Sequence, residues 1–196
     1  MPDPDDRGMA NHWYGEPGSG ESLSVQVPAV WDLWLPDYDG VAWYYREFEL
    51  DDAFFGGKLA LTFDAVNYYA EVWLNGEKAG EHEGGYTPFS LDVTALARPG
   101  RNLLAVRVID PKNAEGWGPF KPKELPIAKE TGYWSFAGIW GGVRITALPS
   151  EHITDVFVKP DMNRNRIAVD VKADAVQDRL VRLSIEGTSC AVDGAP

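Results

Sequence analysis

The stretch from Tyr68 to Thr94, YYAEVWLNGEKAGEHEGGYTPFSLDVT, carries the strongest fold signal in the sequence. Its Asn75-Gly76 pair lies between two extended runs and favours the positive φ angles of a type I′ hairpin turn. Because side chains alternate along a strand, the first run predicts two distinct faces. One face would carry Ala70, Val72 and Leu74, and the other would carry Tyr69, Glu71 and Trp73. The stretch therefore predicts an antiparallel hairpin with one apolar face.

Similar strand patterns lie on both sides of this hairpin. They are GVAWYYREFEL at 40–50, KLALTF at 58–63, TPFSLDVTAL at 87–96, NLLAVRVID at 102–110 and GIWGGVRITAL at 138–148. The segment LSVQVP at 23–28 also has the pattern of a short strand, stopped by Pro28. Gly, Pro, Asn and Asp separate the runs, and helix signals are nearly absent. We therefore expect an all-β fold.

Composition excludes several classes of function. The 196 residues include 18 Lys plus Arg against 30 Asp plus Glu, which gives a formal net charge of -12. This acidic balance, without a basic cluster, disfavours nucleic acid as a partner. No apolar run approaches the roughly 20 residues that a membrane span requires, so we expect a soluble protein and no membrane partner. The start, MPDPDDRG, lacks the pattern of a signal peptide, which leaves the compartment open between the cytoplasm and export with a signal peptide removed.

The sequence changes character after residue 150. Three short and less aromatic runs follow, ITDVFVKPD, RIAVDVKAD and RLVRLSIEG, as at the start of an immunoglobulin-like sandwich. The expected division is a first domain at 1–150 and the first strands of a second sandwich at 151–196. Three strands alone would leave long unpaired edges, so we expect the polypeptide to continue beyond Pro196.

The segment 110–133 is long, rich in proline and without periodicity, which is typical of a functional loop. Trp117 and Phe120 lie there among Gly and Pro, where no strand face requires a large apolar group. Such rings can stack on a sugar, and Lys121, Lys123 or Lys129 could donate hydrogen bonds to hydroxyl groups. The alternative is that the rings pack the loop against a neighbouring domain, since interfaces also use Trp and Phe heavily.

Across most of its length the chain resembles the N-terminal domain of family 2 glycoside hydrolases. The resemblance rests on VPAVWD, GVAWYYREFEL, the long VWLNGEKAGEHEGGYTPFSLDVT match, and AGIWGGVRI. This group includes β-galactosidases, β-glucuronidases and β-mannosidases. The resemblance implies a galactose-binding-like jelly-roll β-sandwich, then an immunoglobulin-like sandwich, then a barrel with two catalytic glutamates. Met1 lies close to the matched DPDD element, so a first strand of the family's domain is expected to be missing.

The resemblance also assigns expectations to single residues. In several family members an acid two positions before the equivalent of Trp134 reaches into the sugar site of the barrel. That position is Gly132 here, and Glu130 is a nearby substitute. The family's usual Arg after the GI-aromatic triplet is replaced by Gly141. The candidate carbohydrate-binding residues are therefore Trp117, Phe120, Lys121, Glu130 and Trp134.

No catalytic residue is expected within this sequence. Glycoside hydrolysis requires two carboxyl groups held about 5 Å or roughly 6.5 to 9.5 Å apart. The acids here are scattered, and those in the two acidic runs are expected to be solvated: Asp3, Asp5, Asp6, Glu81 and Glu83. A barrel would also require about 250 residues with alternating helices and strands.

Metal and cofactor sites are not expected either. His12, His82 and His152 lack the spacing of metal ligands, and Cys190 is the only cysteine. No phosphate loop or dinucleotide fingerprint is present. Six tryptophans and Tyr86 are expected to have packing roles; the tryptophans are Trp13, Trp31, Trp34, Trp43, Trp73 and Trp140.

Three hypotheses remain open. The first is the non-catalytic N-terminal portion of a glycoside hydrolase acting on β-glycosides, with a C-terminal barrel as its partner and a carbohydrate as the substrate of the whole enzyme. The second is a carbohydrate-binding module that uses the 110–133 loop. The third is a structural interaction domain. Homo-oligomerisation is left open.

Overall fold

The computed structural model describes residues 1–111, 136–175 and 180–184, and the backbone of 191–194. The chain divides into two compact units, Met1–Ala147 and Leu148–Pro196. Strands dominate both units. The helical elements in the described part are two short 3₁₀ turns, Trp31–Leu33 and Asp52–Phe54. No helix there is long and apolar enough to cross a membrane. The predicted all-β fold is confirmed, while the division at residue 150 stays a prediction.

Two antiparallel sheets form the first unit. The strands in chain order are β1 (Gly40–Leu50), β2 (Lys58–Phe63), β3 (Tyr69–Leu74), β4 (Glu77–Glu83), β5 (Phe89–Asp92), β6 (Gly100–Asp110) and β7 (Val143–Leu148). One sheet has the order β1-β6-β3-β4, and the other has the order β5-β2-β7. Consecutive strands therefore alternate between sheets, except for the β3–β4 hairpin.

The main core fills the space between the two sheets. The β3 side chains predicted for one face, Ala70, Val72 and Leu74, are all buried there. They meet the apolar face of the opposite sheet, which includes Leu59, Leu61 and Phe63. At roughly 25 cal/mol per Å² of buried apolar area, such burial is the main favourable term for folding. The alternation predicted for β3 from the sequence is confirmed.

The other face of the four-stranded sheet is covered by the N-terminal segment. Trp43 and Trp73 lie on this face with ring centroids 5.3 Å apart. Tyr14 stacks on Trp73 at 5.5 Å, and Trp13 meets Trp43 edge-on at 6.4 Å. The packing roles expected for Trp13, Trp43 and Trp73 therefore agree with their positions, and the sheet is buried on both faces.

Asp3 is buried, so the expectation that it is solvated is wrong. Its side chain accepts hydrogen bonds from the backbone N–H of Arg7 and of Gly8, both at 2.8 Å, and from Trp43 Nε1 at 3.0 Å. These donors surround the carboxylate, and Asp3 is only 2% exposed. A buried charge is tolerated when it is hydrogen-bonded in this way. The acid holds the N-terminal segment on the sheet.

The β3–β4 turn has the predicted geometry. Asn75 and Gly76 both have positive φ, at 54° and 86°, and Leu74 pairs with Glu77 across a two-residue loop. The Asn75 side chain donates to Leu96 O and to Asn102 Oδ1, and accepts from Leu103 N at 3.0 Å. The turn is therefore tied to β6 and to the segment before it.

The segment LSVQVP at 23–28 is not a strand, so that prediction is wrong. The first hydrogen bond from this region to the sandwich backbone comes later, from Ala29 N to Ile139 O at 3.0 Å. All residues from Ser22 to Val27, polar and apolar, line one groove beside the sandwich, so the alternation does not separate two faces of a strand. A period of two alone does not supply a ladder partner.

The second unit contains two separate antiparallel pairs. β8 (His152–Asp161) pairs with β9 (Arg166–Asp174), and β10 (Val181–Ser184) pairs with β11 (Ala191–Gly194). The three predicted strands are confirmed, and β11 is an additional strand that the sequence patterns did not indicate. Large apolar side chains of the β8–β9 pair are exposed, among them Phe157 at 58%. The start of an immunoglobulin-like sandwich stays a prediction.

Candidate functional site

Three aromatic rings form a surface cluster in the first unit, here called the aromatic surface: Tyr86, Phe136 and Trp140. The ring centroids of Phe136 and Trp140 are 5.2 Å apart, and Tyr86 lies 5.6 Å from Trp140 and 6.0 Å from Phe136. All three pairs are edge-to-face, the arrangement that the quadrupoles of aromatic rings favour. Tyr86 is 53% exposed, so its ring is available to a partner.

The GGY turn after β4 positions Tyr86. Gly84 has φ 119°, a conformation that L side chains rarely adopt. Gly85 carries the carbonyl that accepts a hydrogen bond from Trp140 Nε1 at 2.8 Å. A Cβ on Gly85 would lie 2.5 Å from Asn67 Oδ1, so glycine is required for this close approach. The two glycines therefore bring Tyr86 against Trp140.

Asn67 holds the Phe136 side of the aromatic surface. Its backbone exchanges two hydrogen bonds with Gly138, Asn67 N to Gly138 O at 3.0 Å and Gly138 N to Asn67 O at 2.9 Å. Its Nδ2 donates to Phe136 O. The Asn67 side chain is buried, and its Oδ1 has no partner among the described residues. One buried side chain thus connects the turn after β4 with the segment that enters β7.

Polar groups lie at the end of β4, next to the aromatic surface in sequence. Tyr68 donates its hydroxyl to Glu83 Oε1 at 2.6 Å, which orients this carboxylate. His82 Nε2 lies 3.1 Å from Thr87 Oγ1, and the His82 ring stacks on Phe89 at 4.3 Å. Burial lowers the pKa of His82, so the ring stays neutral near pH 7. Glu83 is the only side-chain charge among these groups.

The structure explains why residue 141 is glycine and not the arginine expected from the resemblance. A Cβ at this position would lie 2.2 Å from Ala65 N, and Gly141 N donates to Ala65 O at 3.0 Å. The backbones of the two segments are in direct contact there. Any side chain at residue 141, including the arginine expected from the resemblance, would force them apart.

The buried carboxylates whose contacts the structure gives are engaged in structural pairs. Asp3 accepts from three N–H donors, as described above. Glu71 accepts from Arg107 and also lies 3.0 Å from Lys78 Nζ. Both are on the face of the four-stranded sheet that the N-terminal segment covers. Neither is placed to act as a catalytic acid, which requires an accessible carboxyl group with a raised pKa and a second carboxyl group nearby.

The candidate residues Trp117, Phe120, Lys121, Glu130 and Trp134 lie outside the described residues, so their role stays a prediction. The described residues contain no group of three or more His, Cys, Asp or Glu side chains that could hold a metal ion.

The contact among the three rings of the aromatic surface was not predicted from the sequence. The sequence patterns indicate packing roles for Tyr86 and Trp140 and give no signal for Phe136 or Asn67. The available signal was the paired glycine before Tyr86, because two glycines before an aromatic residue indicate a constrained turn with a presented ring. Contact between residues 50 or more positions apart could not be obtained from local patterns.

Comparison with known proteins identifies the first unit. Residues 8–149 match the family model described as glycosyl hydrolases family 2, sugar binding domain. A β-galactosidase from Thermoanaerobacter pseudethanolicus is 35% identical over 135 residues, which is 67% of this chain and 17% of that protein. A β-glucuronidase from Paenibacillus borealis is 26% identical over 178 residues, 82% of this chain and 29% of that protein.

Solved structures show the same fold. A β-glucuronidase from Ruminococcus gnavus in complex with D-glucuronic acid aligns with a TM-score of 0.80 at 23% identity, over 99% of this chain and 36% of that chain. A β-glucuronidase from an uncultured Clostridium species aligns with a TM-score of 0.72 over 92% of this chain and 33% of that chain. At this identity the likeness concerns the fold.

The chain spans less than a third of the length of the curated relatives described above. The family match covers the sandwich and the aromatic surface together, and it agrees with the resemblance that the sequence motifs carry. The chain therefore belongs to family 2 of the glycosyl hydrolases, through the sugar binding domain of that family.

Proposed function

We propose that this chain is the non-catalytic N-terminal portion of a glycoside hydrolase that acts on β-glycosides. In this role the sandwich supports a catalytic barrel, and the aromatic surface forms part of one wall of the substrate pocket. The observation that carries the proposal is the exposed ring of Tyr86, held by Trp140 and Phe136 in a domain of this family. The curated relatives named as β-galactosidases and β-glucuronidases support the substrate class.

The chemistry of the described residues supports the non-catalytic part of the proposal. Asp3 and Glu71 are buried, and both carboxylates are engaged by hydrogen-bond donors within the first unit. Glycoside hydrolysis instead requires one carboxyl group that is protonated near neutral pH and can donate its proton to the leaving oxygen. The cleaving groups would therefore come from the barrel.

The geometry of the aromatic surface supports a contact role. Aromatic rings bind the apolar faces of sugars by stacking, and they also anchor protein interfaces. Tyr86 follows a glycine turn and packs edge-to-face against Trp140 and Phe136, and these contacts restrict the ring before any partner binds. A ring whose position is already restricted loses less conformational entropy on binding than a flexible side chain does.

The first experiment tests whether the chain is inactive on its own. Purified chain is incubated with an aryl β-galactoside and an aryl β-glucuronide, with mock-purified host extract as the control. We expect no release of the aryl group above that control. Turnover that co-purifies with the chain and persists after removal of contaminants would overturn the proposal.

The second experiment tests whether the aromatic surface forms part of the substrate pocket. In the polypeptide that joins this chain to a barrel, we expect Tyr86→Ala to lower kcat/KM for the aryl glycoside about tenfold, the loss of one aromatic contact of about 1.4 kcal/mol. Tyr86→Phe retains the ring and should retain most of the activity. Leu33→Ala removes an exposed apolar side chain elsewhere in the first unit and serves as the control. Equal effects of the two alanine variants would contradict the assignment.

A second candidate function is a carbohydrate-binding module that uses the 110–133 loop. It is favoured by the position of Phe136, which lies in the aromatic surface directly after the segment with the candidate residues. Titration of the chain with simple sugars would then change the tryptophan fluorescence, and the change would disappear in Trp117→Ala. If the fluorescence does not change while the full polypeptide is active, the first function stands and this one does not.

A further inference from the structure

Asn75 and Gly76 form the only Asn-Gly pair in the sequence. In such a pair the asparagine side chain closes readily on the next backbone nitrogen, because glycine has no Cβ that would hinder the approach. The result is deamidation, which replaces the side-chain amide by a carboxyl group. The β3–β4 turn therefore contains a dipeptide that is chemically reactive wherever its side chain is free to move.

The reaction has two steps and requires only water. The deprotonated backbone nitrogen of Gly76 attacks Asn75 Cγ, a new N–C bond forms, the Cγ–Nδ2 bond breaks, and ammonia leaves. Water then opens the five-membered imide at one of its two carbonyl carbons, which gives aspartate or isoaspartate. No enzyme, oxidant or cofactor takes part, so the conformation of the turn is what controls the rate.

The folded structure engages the Asn75 side chain with other segments of the chain. Asn75 Nδ2 donates to Leu96 O at 2.8 Å and to Asn102 Oδ1 at 2.9 Å, and Asn75 Oδ1 accepts from Leu103 N at 3.0 Å. None of these partners belongs to the turn. Closure of the ring would therefore have to break three hydrogen bonds before Cγ could meet the Gly76 nitrogen.

The main partner of this amide, Asn102, is itself held in place. Asn102 is 0% exposed, its Nδ2 donates to Arg98 O at 2.8 Å and to Gly100 O at 2.9 Å, and its Oδ1 also accepts from Arg98 N at 3.0 Å. The backbone N–H of Asn75 adds a bond to Leu103 O at 2.8 Å. A buried polar network with all its partners present is rigid. The amide is thus restrained for as long as the hairpin stays attached to β6.

The product would not fit the site that the amide occupies. The NH₂ group of asparagine donates two hydrogen bonds, whereas an ionised carboxylate only accepts. Leu96 O and Asn102 Oδ1 are both acceptors, so each would lose its donor and face a negative oxygen. Asn102 cannot turn its own NH₂ group toward the carboxylate without leaving Arg98 O and Gly100 O. Deamidation would therefore weaken the attachment of the hairpin to β6.

The turn itself would survive the change, because Asp-Gly suits a type I′ turn as well as Asn-Gly does. The expected damage is confined to the contacts between the hairpin and the segment 96–103. This separates the effect of deamidation from a general loss of the β3–β4 hairpin.

We propose that Asn75 is a site of spontaneous deamidation that is blocked in the folded protein, becomes reactive when the β3–β4 hairpin detaches from β6, and then prevents the original attachment from forming again. Because the reaction is irreversible, a chain that has opened at this place for long enough carries a permanent chemical change. This proposal does not depend on the proposed function.

The first test compares the rate of deamidation with and without the fold. The folded chain, the chain unfolded in urea and a synthetic peptide of residues 71–80 are incubated in the same mildly alkaline buffer. Mass spectrometry of protease digests measures the conversion of Asn75. We expect conversion in the folded chain to be at least about 100-fold slower than in the peptide, because the hairpin must first open. Unfolding in urea should bring the chain to the rate of the peptide.

The second test measures the consequence for the fold. Asn75→Asp introduces the product carboxylate directly, and Asn11→Asp makes the same charge change at an exposed position of the first unit. We expect Asn75→Asp to lower the melting temperature by at least about 5 °C and Asn11→Asp by less than about 1 °C. Hydrogen exchange of the backbone N–H of residue 75, which donates to Leu103 O, should become at least about tenfold faster in Asn75→Asp.

Two results would overturn the proposal. The folded chain could deamidate at Asn75 as fast as the peptide, which would show that the hydrogen bonds do not restrain the side chain. Asn75→Asp could instead match Asn11→Asp in melting temperature and leave the exchange at residue 75 unchanged, which would show that the site accommodates the product. The first test uses no variant, so it decides the proposal whether or not Asn75→Asp folds.

Discussion

At the scale of single residues, Arg107 connects the N-terminal segment to the four-stranded sheet. Its Nε and Nη2 donate to the two oxygens of Asp6 at 3.1 and 2.6 Å, and its Nη1 donates to Glu71. The guanidinium and Glu71 are both buried, so water screens their interaction weakly. The planar fork of arginine suits this double contact, which a lysine could not reproduce.

Removal of Arg107 should be far more destabilising than removal of an exposed arginine. We expect Arg107→Met to lower the free energy of unfolding by about 3 kcal/mol, because Glu71 loses its buried partner. Arg101→Met breaks an exposed pair with Glu47 and should cost less than about 1 kcal/mol. Urea unfolding measures both. Equal losses would show that the burial of the pair has no energetic consequence.

The tyrosines of the first unit predict a loss of stability in alkali. Burial raises the pKa of Tyr38 and of Tyr69 to about 12, and burial also raises the pKa of Tyr44 and Tyr45. Since the unfolded value is about 10, the folded state binds these protons more tightly. The stabilisation is fully present below pH 10 and is lost as the pH rises toward 12.

Urea unfolding between pH 8 and pH 12 measures this loss, and the absorbance of tyrosinate measures the ionisation itself. We expect the free energy of unfolding to be constant near pH 8 and to fall above pH 10. Tyr38→Phe should reduce the slope of the fall. A native protein in which all tyrosines ionise near pH 10 would contradict the expected direction.

At the scale of secondary-structure elements, the β3–β4 hairpin depends on a turn with two positive φ angles. Gly76 has φ 86°, whereas a Cβ on Gly56 would meet no atom within 4 Å and Gly56 has no positive φ in this range. The same substitution at the two glycines therefore separates backbone strain from a general effect of alanine.

We expect Gly76→Ala to destabilise the protein by about 1 kcal/mol, because alanine is strained in the left-handed region. Gly56→Ala should be neutral or slightly stabilising, since it reduces the freedom of the unfolded chain. Thermal unfolding compares the two variants. If Gly56→Ala proved the more harmful change, the turn would not control the hairpin.

The elements show what local sequence patterns can and cannot provide. The faces of β3 and the Asn75-Gly76 turn were predicted because alternation and turn chemistry act over a few residues. The segment at 23–28 is not a strand because an alternating pattern does not by itself supply a hydrogen-bonded partner strand. Asp3 and the aromatic surface were missed because each depends on a contact between distant parts of the chain, Asp3 with Trp43 and Tyr86 with Phe136.

At the scale of the whole molecule, the two units differ in how they bury apolar side chains. The first has a core between two sheets and a second cluster under its N-terminal segment. In the second unit Ile153, Val156, Phe157, Val158 and Ile167 are each at least half exposed. A contiguous set of exposed apolar residues on strands is a site of association.

We therefore expect the isolated chain to self-associate or to bind a hydrophobic dye. Light scattering should increase with protein concentration, and truncation after Ala147 should remove most of the effect. Substitution of Phe157 by serine should reduce it without affecting the first unit. A monomer at all concentrations, without dye binding, would contradict this expectation.

The close packing of Trp43 and Trp73 under the N-terminal segment also gives the protein an optical signature. Two indoles whose ring centroids are 5.3 Å apart and tilted by 32° couple their electronic transitions, which produces a paired band in the circular dichroism spectrum. Trp13 and Tyr14 cover this pair directly. Detachment of residues 1–14 would therefore change the spectrum before either sheet melts, which allows fraying at the amino terminus to be followed without any attached label.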